Sequence, residues 1–115
     1  MIEELIAKVF STRNTAHLAH WSTGSYAQHK ALGDFYDDVI EAVDTLVEAY
    51  QAYKKVGAVD VAGSSYPILK QLEDDCKWMS ENREEITCNM PALDNLLQGL
   101  EAVYLSTIYK LKRLS

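Results

Sequence analysis

All three histidines of the chain, His17, His20 and His29, fall within thirteen residues. Imidazole suits zinc, copper and iron, and two imidazoles at one level make half of a first-row metal site. His17 and His20 are three apart, so on a helix they share a face. His29 follows the bend Ser22–Ser25, and a tight hairpin there sets His20 and His29 at about the same height. The same spacing also suits an interior pair that only hydrogen-bonds.

Carboxylates follow on the helix that carries His29. Asp37, Glu41, Asp44 and Glu48 line one flank of it, a pattern that a solvated helix face also produces. At ~100° per residue, Asp44 and Glu48 lie roughly 60° and 100° around from His29, but the fifteen-residue rise to Asp44 is roughly 22 Å. One ion cannot touch both within one chain. In a two-fold dimer with antiparallel second helices, His29 of one copy meets Asp44 and Glu48 of the other. Such an isologous interface holds two equivalent sites.

Four helices must position these residues. The first covers about Ile2 to Trp21, with Ile2, Leu5, Ile6, Val9 and Phe10 at helical spacing, and stops at Ser22-Thr23-Gly24. Ser25 and Gln28 have capping-box spacing and open the second, from about Tyr26 to Lys55, with its stripe from Leu32 to Tyr50. Gly33 lies inside that helix, where it costs about 1 kcal/mol against alanine with no return visible in the sequence. The small residues from Gly57 to Ser65 form the one longer connection. A third helix begins near Pro67, turns Ile68, Leu69, Leu72, Cys76 and Met79 inward, and ends between Asn82 and Glu85. Pro91 starts the fourth, whose apolar face runs from Leu93 to Leu111, with Lys110, Lys112 and Arg113 in its last turns. The expectation is a single all-α domain over residues 1–115: a four-helix bundle with one longer connection between helices two and three.

Composition removes other classes. A chain of 115 residues, 48% apolar and 10% aromatic, supports one core and is not disordered. Two prolines and five glycines disfavour turn-rich sandwiches and barrels. Seventeen acids against eleven bases, a net charge of −6, argue against a nucleic-acid partner, which needs excess positive charge. No apolar run approaches the ~18 residues of a membrane span, so no membrane partner is expected. The start MIEELIAKVF lacks the basic region of a signal peptide. Cys76 and Cys88, without a CxxC partner, read as reduced, partly buried thiols, and the expected compartment is cytoplasmic. Nucleophilic catalysis has little support, since no glycine-framed serine or phosphate-binding glycine loop is present. Tyr66, Trp78, Tyr104 and Tyr109 read as bundle core or interface, and Glu73, Asp74 and Asp75 as solvated.

His17-Leu-Ala-His20-Trp21, then Gly24, His29 and Asp44-x-x-x-Glu48 resemble the signature of the Dps mini-ferritins, within the ferritin-like superfamily, over about residues 14–50. The resemblance implies a ferritin-like bundle with a ferroxidase site at a dimer interface. By position it makes His20 and His29 the ligand histidines, Asp44 the bridging carboxylate and Glu48 the main carboxylate ligand. Trp21 is similar to the tryptophan that in the family takes oxidising equivalents beside the site; His17, Asp37 and Glu41 are accessory candidates. The implied ion is iron, with zinc suited to the same ligands, and the implied partner is the chain itself, as a dimer or a larger shell. The alternative is a ferritin-like structural or interaction protein that has lost ferroxidase activity. A ferritin-type di-iron centre inside one bundle is not expected, because residues 58–115 contain no histidine.

Overall fold

The computed structural model describes residues 1–63 and 67–114, so Tyr66 and the end of the longer connection lie outside the described residues. The first helix, α1 (Ile2–Ser22), starts without a side-chain cap, but Glu3 and Glu4 sit in its first turn, where the helix dipole favours negative charge. Ser25 caps α2 (Tyr26–Tyr50), its hydroxyl accepting from the Gln28 N–H at 3.2 Å. The other half of the capping box is relayed by Thr23, whose hydroxyl accepts from the Ser25 N–H and donates to Gln28 Oε1.

α2 stops at Tyr50, short of the Lys55 end expected from sequence. The reason is packing. Residues 51–55 are all exposed, and without an apolar stripe the chain tightens into a turn, with the Tyr53 N–H on the Tyr50 carbonyl at 2.9 Å. The third helix, α3 (Ile68–Glu81), breaks at Asn82, whose side chain donates to the Trp78 carbonyl at 2.9 Å. A single further turn, α4 (Arg83–Thr87), occupies the stretch expected to finish the third helix. Cys88 and Asn89 then take left-handed conformations, φ 54° and 57°, and swing the chain into α5 (Pro91–Arg113), with Pro91 in its first turn.

Cross-helix contacts fix the direction of each element. α1 and α2 form an antiparallel hairpin, with Gly33 beside the His20 ring. Ser11 and Thr12 meet Gln71 and Asp75, while Lys8 lies over Trp78, so α3 runs against α1. Lys112 pairs with Glu73, and Arg83 with Asp94 and Glu101, so α5 runs against α3. α2 and α3 therefore point the same way. The Gly57 N–H, 2.8 Å from Glu3 Oε2, ties the chain that leaves α2 to the start of α1.

The centre is apolar: Val9, Phe35, Leu46, Leu72, Leu97 and Tyr104 are almost fully excluded from solvent. The acidic run on α3 is not uniformly solvated. Glu73 and Asp74 are exposed, but Asp75 is buried at 6% exposure. Tyr104 is core, Trp78 is half-buried, and Tyr109 is exposed. Ile68, Leu69 and Cys76 are also only half-buried. The described residues form helices and no strand, and none of the helices is long and apolar enough to cross a membrane. Both cysteines are free and partly buried.

Candidate metal centre

The α1–α2 hairpin brings His20 and His29 into direct contact. Their rings stack with centroids 3.7 Å apart and planes 19° apart. Each ring also bonds the other's main chain: His20 Nδ1 lies 2.6 Å from the His29 carbonyl, and His29 Nδ1 lies 2.7 Å from the His20 carbonyl. A carbonyl oxygen only accepts, so in both rings Nδ1 carries the proton and donates. The His20 carbonyl is one of the acceptors left without an intrahelical partner near the end of α1, and the His29 ring satisfies it. In a neutral imidazole with its proton on Nδ1, Nε2 keeps its lone pair. Metal-ligating histidines are commonly oriented in this way, by a carbonyl on the second nitrogen.

Gly33 finds its reason here. A Cβ at this position would lie 3.0 Å from His20 Cε1 and 3.2 Å from Nδ1. His29 and the Nδ1 bond hold the His20 ring in place, so the helix gives up the stability of alanine to admit it. Gly33→Ala is expected to displace the ring by a few tenths of an ångström and break the His20 clasp. Proton NMR checks this: the protected Nδ1–H signal of His20 should be lost while overall helicity is kept. Two unchanged imidazole N–H signals would show that the ring yields without cost.

Around this pair lies an aromatic cluster. His17 stacks on Tyr36 at 4.0 Å and tilts against Trp21 at 4.6 Å. Arg13 lies 5.2 Å from the Tyr36 centroid, a cation–π contact. Trp21 is 68% exposed, so it belongs to the surface of the hairpin end.

The carboxylates lie elsewhere. Asp37, Glu41, Asp44 and Glu48 are all exposed on the outward face of α2, and none has an ion pair or side-chain hydrogen bond among the described residues. Nor do any three His, Cys, Asp or Glu side chains among the described residues converge on a common point. The chain by itself thus presents a histidine pair at the hairpin end and a carboxylate face on α2, with Asp44 about 22 Å along the helix from His29.

Other titratable groups are tuned by burial. The Cys76 thiol is pushed up to about 11 by burial, with Glu101, Asp75 and Glu73 adding to it, so it stays protonated and is a poor ligand or nucleophile at neutral pH. The hydrogen bonds that Arg83 donates to Glu101 and Asp94 raise it further and keep its guanidinium charged. Asp75 is buried, not solvated as its acidic run suggests. It accepts hydrogen bonds from Thr12 and Tyr104, and burial raises its carboxyl above the ordinary range. Its position was the available signal, three residues after Leu72 and four before Met79 on the inward stripe.

A protein-family model described as a family of unknown function, DUF5856, matches residues 20–111. The chain belongs to DUF5856. The DUF5856 match begins at His20 and takes in His29, Gly33, Asp44, Glu48 and Asp75, whereas His17 and Thr12 precede it. No curated protein and no solved structure matches the chain.

Proposed function

We propose that this DUF5856 chain is a ferritin-like, Dps-like iron-binding protein whose metal site is shared by two copies. His20 and His29 come from one copy, Asp44 and Glu48 from the other. The observation that carries this reading is the pair of Nδ1–H donations to main-chain carbonyls, which directs both histidines to act through Nε2. The helix order, with one longer connection between two helices that point the same way, is that of ferritin-like bundles and supports the same reading. Imidazole combined with hard carboxylates suits Fe(II), and Zn(II) is the competing ion for the same ligands.

Fe(II) is the substrate in this proposal, each ion giving one electron to dioxygen or hydrogen peroxide. The histidines and carboxylates hold the ion. Asp37 and Glu41, on the same face of α2, raise the local cation concentration. Trp21, coupled through His17 to Tyr36, is placed to take up an oxidising equivalent at the hairpin end. Two reduced thiols fit a cytoplasmic compartment.

One observation favours a second reading, a structural or interaction protein. The histidine clasp satisfies both Nδ1 atoms within a single chain and staples α1 to α2 without any ion. Anaerobic titration with Fe(II), followed by metal analysis and sedimentation, separates the two. The metal reading expects one ion-binding site per chain, dimers, and at least a tenfold loss of affinity in Glu48→Ala. An unchanged monomer that retains no iron or zinc supports the staple alone.

A further inference from the structure

Two of the four buried residues of α3 are polar, Gln71 and Asp75. Much of the seam between α3 and its neighbours is polar as well. Gln71 Nε2 donates to Ser11 Oγ at 3.2 Å, Lys8 Nζ lies 5.1 Å from the Trp78 ring centre, and Lys112 pairs with Glu73 at 2.9 Å. At the middle of the seam Asp75 Oδ2 accepts two hydroxyls, Thr12 Oγ1 from α1 at 2.5 Å and Tyr104 OH from α5 at 2.7 Å. Thr12 and Tyr104 have no exposed surface, so one carboxylate oxygen joins three helices in the buried interior.

We infer that this cluster makes the docking of α3 a proton-linked latch: α3 closes more tightly on α1 and α5 when Asp75 is protonated and loosens as the proton is lost. The inference is independent of any metal. A buried carboxylate gives up hydration that two hydroxyls only partly replace. As a neutral acid protonated on Oδ2, Asp75 donates that O–H to one hydroxyl, and the same oxygen still accepts from the other. The two hydroxyls are amphoteric and serve either state.

Lys8 on α1 favours the carboxylate, and Asp74 on α3 opposes it. Tyr104 on α5 stays neutral, raised well above the ordinary tyrosine value by burial and by Asp75 itself. Cys76 on α3 is also held protonated, while Glu73 and Glu101 act on that thiol. α2 contributes the uncharged Phe35 ring, edge-on to Tyr104 at 5.2 Å. Burial outweighs the two hydroxyls and Lys8, and the Asp75 carboxyl is raised.

The sign follows from linkage. A carboxyl raised in the docked state binds protons more tightly there than in the released state. Its contribution is fully present below the ordinary aspartate range and is lost as pH rises through the raised value. Across that window the opening constant of α3 should increase by up to about tenfold per pH unit, the limit for one linked proton.

Amide hydrogen exchange between pH 4 and 8, corrected for intrinsic base catalysis, reads that constant. In wild type the amides from Leu72 to Met79 should lose protection as pH rises, relative to those of α2. Asp75→Asn should flatten the dependence. Tyr104→Phe removes one donor to the carboxylate and should carry the loss to higher pH. It keeps the ring in the core, so it serves as the test if the asparagine variant does not fold. The latch is overturned if α3 and α2 share one pH dependence in wild type, or if the α3 dependence survives in Asp75→Asn or stays in place in Tyr104→Phe.

Discussion

A subunit-exchanged mixture of His29→Ala and Asp44→Ala chains is expected to recover about a quarter of the wild-type iron sites, although each variant alone binds almost none. The number follows from two-fold symmetry. In an equal mixture about half the dimers are mixed, and each mixed dimer has one site with both an intact histidine side and an intact carboxylate side. Its second site lacks both. The roughly 22 Å rise between His29 and Asp44 along α2 means that no single chain supplies both ligands to one ion. Absorbance growth after Fe(II) addition, with exchange proved by mass labelling, measures the recovery. No recovery after full exchange would remove the shared site.

Phe35→Ala is expected to lower unfolding stability by about 3–5 kcal/mol, the range for losing a buried aromatic side chain. Phe35 is 1% exposed and meets Tyr104 edge to face. Its loss opens a cavity beside the Asp75 cluster, where the neighbours are tied by hydrogen bonds and cannot collapse freely. For a domain of this size the melting temperature should fall by roughly 10–20 °C. Thermal unfolding followed by circular dichroism checks this, and a fall of under 5 °C would mean that the core repacks around the gap.

The sequence disclosed some parts of this architecture because their physics is local. Ser25 marked the start of α2, and Pro91 the start of α5, through chemistry confined to one turn. The ends of α2 and α3 were less legible, since they depend on where a supporting surface runs out. Lys54 and Lys55 resemble a helix terminus, but the inward stripe already finishes at Tyr50. The spacing of His20 and His29 placed them at one level. The reciprocal bonds to main-chain carbonyls were not visible, because carbonyls leave no mark in a sequence. Gly33 is a bare cost in the sequence, and the reason for it is the His20 ring that lies against it. Asp75 falls beside the Leu69–Leu72–Cys76 stripe and reads as solvated with its acidic neighbours, whereas the buried register on α3 is Leu72, Asp75 and Met79.

The directions of α1 and α5 have a practical consequence for handling the molecule. Both helices run against α3 and hence point the same way, so Ile2 and Arg113 lie at opposite ends of a body 44 Å long. A tag fused before Ile2 leaves the histidine end clear, whereas one fused after Arg113 emerges at that end. Joining the two ends in a circular permutant would need a linker long enough to travel the bundle, about 13 or more extended residues at roughly 3.3 Å each.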